Sequence, residues 1–405
     1  MEGKGRLPMV KRAFVDRLFD AASIQRWNDH VRPVEFTELD KQAHKMVIAY
    51  VLGKLEEDDR QAEVDWQQLI EGGIFEFLQR VILTDIKPPV FHKMMKEKGN
   101  EINELVFGKL KGEIRDIKGG FAEKFRCYFL DKNYSRFEKR LLMAAHYLAT
   151  NWEFQIIYNA APFIYGIDKT KEEIENQIED HYDLIGVQKI SLRKKSFGFV
   201  DLCGQLRFQQ RWAQTPRVPK TSVLGHMLIV AILSHICSLE VGACKRRLYN
   251  NFFAALLHDL PEVLTRDIVY PVKSSVEGLD EIIKTYEKIH LEEKILPLLP
   301  SSMRDEICYF LEDEFQNKVL RNGEVVKPVP IEDMLSRYNE DVYSPVDGEV
   351  IRICDKLAAF IEASLSIGHG IKSHHLEEAR KLNYEQYKGQ TRGEIDFGSL
   401  FDEYW

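Results

Sequence analysis

Residues 249–273 read YNNFFAALLHDLPEVLTRDIVYPVK, and this stretch decides the class of fold. Its first nine residues, Tyr249–Leu257, space apolar side chains three and four apart, the period of one helix face. The run then ends on His258-Asp259, two polar side chains at the close of an apolar helix. Working outward, Val223–Leu239 (VLGHMLIVAILSHICSL) and Val350–Leu365 (VIRICDKLAAFIEASL) carry the same period and are too long for strands. Polar connections marked by Pro and Gly separate such runs, as in Arg321–Pro330 (RNGEVVKPVP) and Tyr343–Gly348 (YSPVDG). Alternating patterns are scarce. The best is Lys189–Val200 (KISLRKKSFGFV), a candidate hairpin or linker. The pattern predicts an all-α protein.

A length of 405 residues suggests two or three domains. With 44% apolar and 30% charged residues the chain can bury a large core. A net charge of −8 lacks the broad basic surface of a non-specific nucleic-acid binder, so nucleic acid is disfavoured as a partner. No run approaches 18 apolar residues and the start has no apolar h-region, so neither a membrane span nor a secretion signal is expected. The six cysteines form no CxxC pair, which fits reduced thiols in a cytoplasmic protein.

The chain also repeats itself. Gln25-Arg26-Trp27 returns as Gln210-Arg211-Trp212, and His44–Ile48 parallels His226–Val230. Leu83–Ile86 with Pro89-Val90 parallels Leu264–Ile268 with Pro271-Val272. Ala144–Ala149 resembles Ile353–Ala358. The order is kept, and the offsets of 185, 182, 182 and 209 residues change only where loops absorb them. Two related helical domains follow, residues 1–190 and 205–405. In the first, the HD position falls at Phe75–Leu78, His146 stands for Asp355, and Glu262 falls near Arg80 or Val81, so no four-ligand site can be assembled there.

In the second copy His226, His258-Asp259 and Asp355 sit on three separate apolar segments. Burying a carboxylate costs several kcal/mol unless it is paired or bound to a cation. Two imidazoles and two carboxylates suit a divalent metal and leave positions for water and substrate. Each residue taken singly has a plain structural alternative: a satisfied core histidine, or an Asp355–Lys356 ion pair.

The order His226…His258-Asp259…Asp355 resembles the HD-domain metal-dependent phosphohydrolase superfamily, and HDLPEVLTRDIVYPVK resembles its bacterial 5′-deoxynucleotidase-like branch. The resemblance spans about residues 205–370 and includes the Arg-Trp pair before the first histidine. It differs where that branch often has Glu-His-Ser and this chain has Gly225-His226-Met227. It implies one divalent ion (Mn, Co, Fe, Ni or Zn) on His226, His258, Asp259 and Asp355, and a nucleotide-type phosphorylated small molecule as substrate. Glu262 would position or activate water. Arg211 would hold phosphate, Trp212 the sugar, Asp267 a sugar hydroxyl, and Lys273 would add charge. Against these, Glu262 can pair with Arg266, Asp267 can cap a helix before Pro271, and Trp27 in the first copy argues that Trp212 is architectural. Only His290 lies between the HD pair and Asp355 where dinuclear HD oxygenases place two histidines, which argues for one metal. The expected activity is removal of 5′-phosphate from (deoxy)nucleoside monophosphates. Another nucleotide (triphosphate, pyrophosphate or cyclic dinucleotide) or a non-catalytic nucleotide-binding regulator is the alternative, and a homo-oligomer stays open.

Overall fold

The apolar runs become helices in the computed structural model, which describes residues 10–266, 276 and 278–405. The first half runs α1 (Arg12–Asp20), β1 (Gln25–Arg26), β2 (Phe36–Thr37), α2 (Glu38–Arg60), α3 (Trp66–Leu83), α4 (Pro88–Ile114), α5 (Phe121–Leu130), α6 (Arg136–Ala160), α7 (Ile167–Glu179), α8 (Ile185–Ser191) and α9 (Lys195–Gln205). The second half continues with α10 (Val223–Glu240), α11 (Lys245–Leu257), α12 (Glu262–Thr265), α13 (Leu279–His290) and α14 (Ser301–Leu311). Then come β3 (Asn317–Arg321), β4 (Glu324–Val326), α15 (Ile331–Ser336), β5 (Val346–Asp347), α16 (Gly348–Gly368), α17 (His374–Tyr387) and α18 (Phe397–Asp402).

The α2 and α10 helices are the central pair. Ser222 caps α10 by accepting from the Gly225 backbone N–H, and Thr37 caps α2 by accepting from that of Asp40. Residues 223–239 of α10 are buried on every side, as a helix without a polar face must be. By length and composition α10 could cross a membrane, but 94% of it is buried inside the fold, as in a core helix. Its first turn meets α2 so closely that a Cβ on Gly225 would lie 2.9 Å from both Asp40 Oδ1 and Leu39 Cδ2. A single apolar core runs through both halves and holds Leu52 and Phe75 together with Ile232 and Phe252. The Tyr50 and Tyr249 hydroxyls, one from each half, both donate to Glu306, at 2.7 and 2.6 Å.

Two expectations need correction. Residues 189–200 form no hairpin. They fall in α8 and α9, where Val187, Ile190, Phe199, Val200 and Cys203 bury helical faces three and four apart. The hairpin lies instead at Asn317–Val326, with its turn in what reads as a mere connection: β3 and β4 pair Arg321 with Glu324 across Asn322-Gly323. Those turn residues take φ of 53° and 84°, the conformation that Asn-Gly supplies in a two-residue hairpin.

The repeat extends to backbone geometry. Trp27 and Trp212 both adopt left-handed φ, at 56° and 59°. So do Thr84 and Arg266, at 59° and 65°, and Ser135 and Ser344, at 50° and 44°. Gln25 bridges Thr37 as Gln210 bridges Ser222. These bridges and caps keep the 185-residue offset into α2 and α10, so Lys41, rather than His44, lies opposite His226. The His44 alignment is three residues off. Three residues is almost one helical turn, which is why the apolar pattern still matched.

Contacts between the halves follow the same register. Tyr50 packs on Phe253 with ring centroids 4.8 Å apart, and at the matching positions His235 Nε2 lies 3.9 Å from Glu71 Oε1. The shared core predicts that residues 1–194 and 195–405, produced separately, give no cooperative thermal transition, whereas co-expressed they purify together. A cooperative melt of either piece alone would show that the core divides.

Candidate metal centre

Three helix segments carry the candidate ligands. His226 lies in the first turn of α10, closer to the helix start than the mid-helix position its apolar run suggests. The α11 helix ends at Leu257, with His258 as its C-cap and Asp259 in the turn that follows. Asp355 lies in the third turn of α16. His226 Nε2 is 2.9 Å from Asp355 Oδ1, and His258 Nε2 is 3.2 Å from Asp259 Oδ2. The two imidazole centroids are 5.6 Å apart. One ligand atom each from His226, His258 and Asp259 lies within 4.8 Å of the others.

His258 Nδ1 donates to the Ala255 carbonyl at 2.7 Å, which turns Nε2 toward Asp259. That Nε2, and His226 Nδ1, are buried and without a hydrogen-bond partner among the described residues. His226 and His258 are 0% and 5% exposed and Asp355 is 7% exposed, while the Asp259 side chain keeps 19% and forms the open side. Buried imidazole nitrogens facing carboxylates are the donor set of a borderline divalent cation, and the arrangement fits one.

The carboxylates are ionised. Burial alone would raise Asp259, but His258 holds it well below the usual carboxylate range. Burial likewise opposes Asp355, and Lys356, 3.0 Å away, together with His226 holds it low. Burial and the Arg211 charge keep His226 below its ordinary value. Burial disfavours the His258 cation too, yet Asp259 raises that group to about 9.

The other expected residues divide. Glu262 opens α12 and is buried. Its backbone N–H donates to the Asp259 carbonyl at 3.0 Å, so a turn, rather than a continued helix, joins it to the HD pair. Arg211 Nε donates to Glu362 Oε2 at 3.3 Å while its Nη1 lies 3.7 Å from Asp259 Oδ2. Trp212 Nε1 donates to the same Glu362 oxygen at 2.8 Å. Asp267 and Lys273 lie outside the described residues. His369, His374 and His375 are exposed, and His290 Nδ1 stands 3.4 Å from Glu293.

Glu362 is the residue that the sequence reading missed. It is fully buried, and besides Arg211 and Trp212 it accepts from Thr221 Oγ1 at 2.6 Å and lies 3.8 Å from His226 Nδ1. Burial works against its charge, but Arg217 and Arg211 hold it down at about 2. Glu153 does the same in the first half, accepting from Trp27 Nε1 at 2.8 Å and Arg26 Nε at 3.0 Å. The available signal was spacing: Glu362 follows Asp355 by seven, two turns on, as Glu153 follows His146.

At the positions opposite the four candidate ligands the first half holds Lys41, Glu76, Phe77 and His146. Lys41 Nζ contacts His146 Nδ1 just as His226 contacts Asp355, and Lys45 Nζ meets Glu76 at 2.8 Å. His44 is a core residue instead. It is fully buried, its Nε2 bonds the Val200 carbonyl at 2.9 Å, and burial holds it down at about 3.

Comparison with known proteins agrees with this geometry. Residues 203–383 match the family described as HD domain. A 5′-deoxynucleotidase of Vibrio parahaemolyticus is 34% identical over 123 residues, 29% of this chain and 61% of that protein. One from Enterobacter sp. (strain 638) is 32% identical over 119 residues, 28% of this chain and 57% of its own length. The Escherichia coli K12 (DH10B) 5′-deoxynucleotidase is 30% identical over 119 residues, covering the same shares. The chain thus spans about three-fifths of the length of the curated relatives it matches. Residues 203–383, with paired imidazoles and carboxylates gathered from α10, the α11 turn and α16, match the HD domain family and are similar to 5′-deoxynucleotidases.

Proposed function

We propose that this protein is a metal-dependent phosphohydrolase that removes the 5′-phosphate from (deoxy)nucleoside monophosphates. The observation that carries the reading is the convergence of two imidazoles on two carboxylates: His226 Nε2 lies 2.9 Å from Asp355 and the buried His258 Nε2 lies 3.2 Å from Asp259, with Arg211 beside them. His226, His258, Asp259 and Asp355 would hold one divalent ion, which when bound supplies Lewis acidity and neutralises phosphoryl charge.

The chain's own groups do the rest. Glu362 grips Arg211 by Nε, which leaves the guanidinium's far nitrogens on the Asp259 side, where a phosphoryl group would enter. The same carboxylate holds the Trp212 indole, which gives the sugar a fixed wall. Glu262 orients the attacking water and takes its proton, a task worth about 10²–10⁴-fold for a positioned base. Asp267 and Lys273 follow directly on the α12 segment. They serve the sugar hydroxyl and the substrate charge respectively.

Glu262→Gln should keep the bound metal but lower kcat for nucleotide phosphate release by about 10²–10⁴-fold. Unchanged kcat at full metal content would remove Glu262 from the reaction, and lost metal would make it a ligand. A phosphate-release screen should favour 5′-deoxynucleoside monophosphates. Cleavage of triphosphates or cyclic dinucleotides with none of monophosphates would overturn the substrate assignment.

A further inference from the structure

The first half holds a cluster of cations where the second half gathers its candidate ligands. Lys41 and Lys45 are 0% exposed, and they come from α2 at the level of Glu76 and Arg80 on α3 and His146 on α6. Arg26 is matched by Glu38 at 2.9 Å and by Glu153 at 3.0 Å, and Lys45 by Glu76. Among the described residues neither Lys41 nor Arg80 has a carboxylate in ion-pair reach. Lys41 Nζ meets the His146 imidazole, and Arg80 lies over the Phe91 ring at 4.3 Å. The carboxylate that offsets both cations most is Glu38, which Arg26 already engages. The cluster also opens to solvent, since Glu76, Arg80 and His146 each keep partial exposure.

We infer that this cluster is a non-catalytic binding site for the phosphate group of a 5′-nucleotide, with Lys41 and Arg80 supplying the charge that a metal would supply in the other half. The register gives the reasons. Lys41 replaces the ligand His226, and Arg80 replaces Glu262, so the site loses its metal and its proposed base while staying electropositive. Arg26 and Trp27 repeat the braced Arg211-Trp212 pair down to the left-handed tryptophan and the buried glutamate behind it. Phosphate holding is thus kept where water activation is lost. Burial presses Lys41 well below its ordinary pKa against the opposing charge of Glu38, and Arg26, Lys45 and Arg80 press it further, a repulsion that an entering dianion relieves. The cation cluster rests on the repeat and its side chains, and the choice of a 5′-nucleotide as ligand rests on the function proposed above.

The test is calorimetric titration of the full-length protein, stripped of metal with a chelator, using inorganic phosphate, 5′-dAMP and deoxyadenosine in turn. One saturable site is expected for phosphate and for 5′-dAMP, with tighter binding of 5′-dAMP and no binding of deoxyadenosine. Lys41→Met and Arg80→Met should each weaken 5′-dAMP binding at least tenfold, while Lys388→Met, at an exposed lysine outside both clusters, leaves it unchanged. If Lys41→Met fails to melt cooperatively, the partly exposed Arg80→Met carries the test. Absence of 5′-dAMP binding, binding untouched by the Lys41 and Arg80 substitutions, or binding equally weakened in Lys388→Met would overturn the inference. Binding of phosphate alone, with 5′-dAMP excluded, would also contradict it.

Discussion

A buried carboxylate that must keep its charge organises each half of this chain. Glu362 is wholly enclosed, and an unpaired carboxylate there would cost several kcal/mol. Its partners are therefore fixed in space: Arg211 and Trp212 from the segment before α10, and Thr221 next to the α10 cap. Reaching Glu362 forces Trp212 into left-handed backbone, a conformation that a bulky residue adopts only when its surroundings demand it. His226 lies one turn into α10, between Glu362 and Asp355, so the same carboxylate that braces the Arg-Trp pair also orients a candidate ligand. Glu153 repeats the device with Arg26 and Trp27, which keeps the framework while the chemistry around it changes.

That separation of framework from chemistry accounts for the difference between the halves. Around one carboxylate the side chains bring two imidazoles and two carboxylates together, the donor set of a divalent cation. Around the other, two lysines and an arginine stand in the equivalent shell, and the surplus is positive. The charged side chains differ at a few positions, while α2 and α10 stay locked together through Asp40 and Gly225. The continuous core explains why both copies stay joined: each central helix supplies apolar surface that the other half needs.

Much of this was legible in the sequence. The apolar periods of residues 223–239, 249–257 and 350–365 announced α10, α11 and α16, and the interruption of those runs by His226, His258-Asp259 and Asp355 pointed to side chains that the fold brings near one another. The repeat was visible too, but its register was not. A shift of three along a helix preserves the apolar face, so His44 looked like the partner of His226 until the caps and bridges fixed Lys41 in that place. Glu362 escaped notice because a single glutamate in an apolar helix is ambiguous until its donors, 140 or more residues away in sequence, are brought to it. The hairpin at Asn322-Gly323 carried a clear turn signal that the surrounding Pro and Lys residues obscured. The pattern at 189–200 alternates only by coincidence with two short helices.

The most direct measurement is anomalous diffraction from crystals of the full-length protein grown with Mn²⁺. The account predicts one strong peak per chain, bonded at about 2.0–2.2 Å to His226, His258, Asp259 and Asp355, and no peak near Lys41, Glu76 and His146. No peak among those four side chains, or a second peak in the amino-terminal cluster, would contradict it.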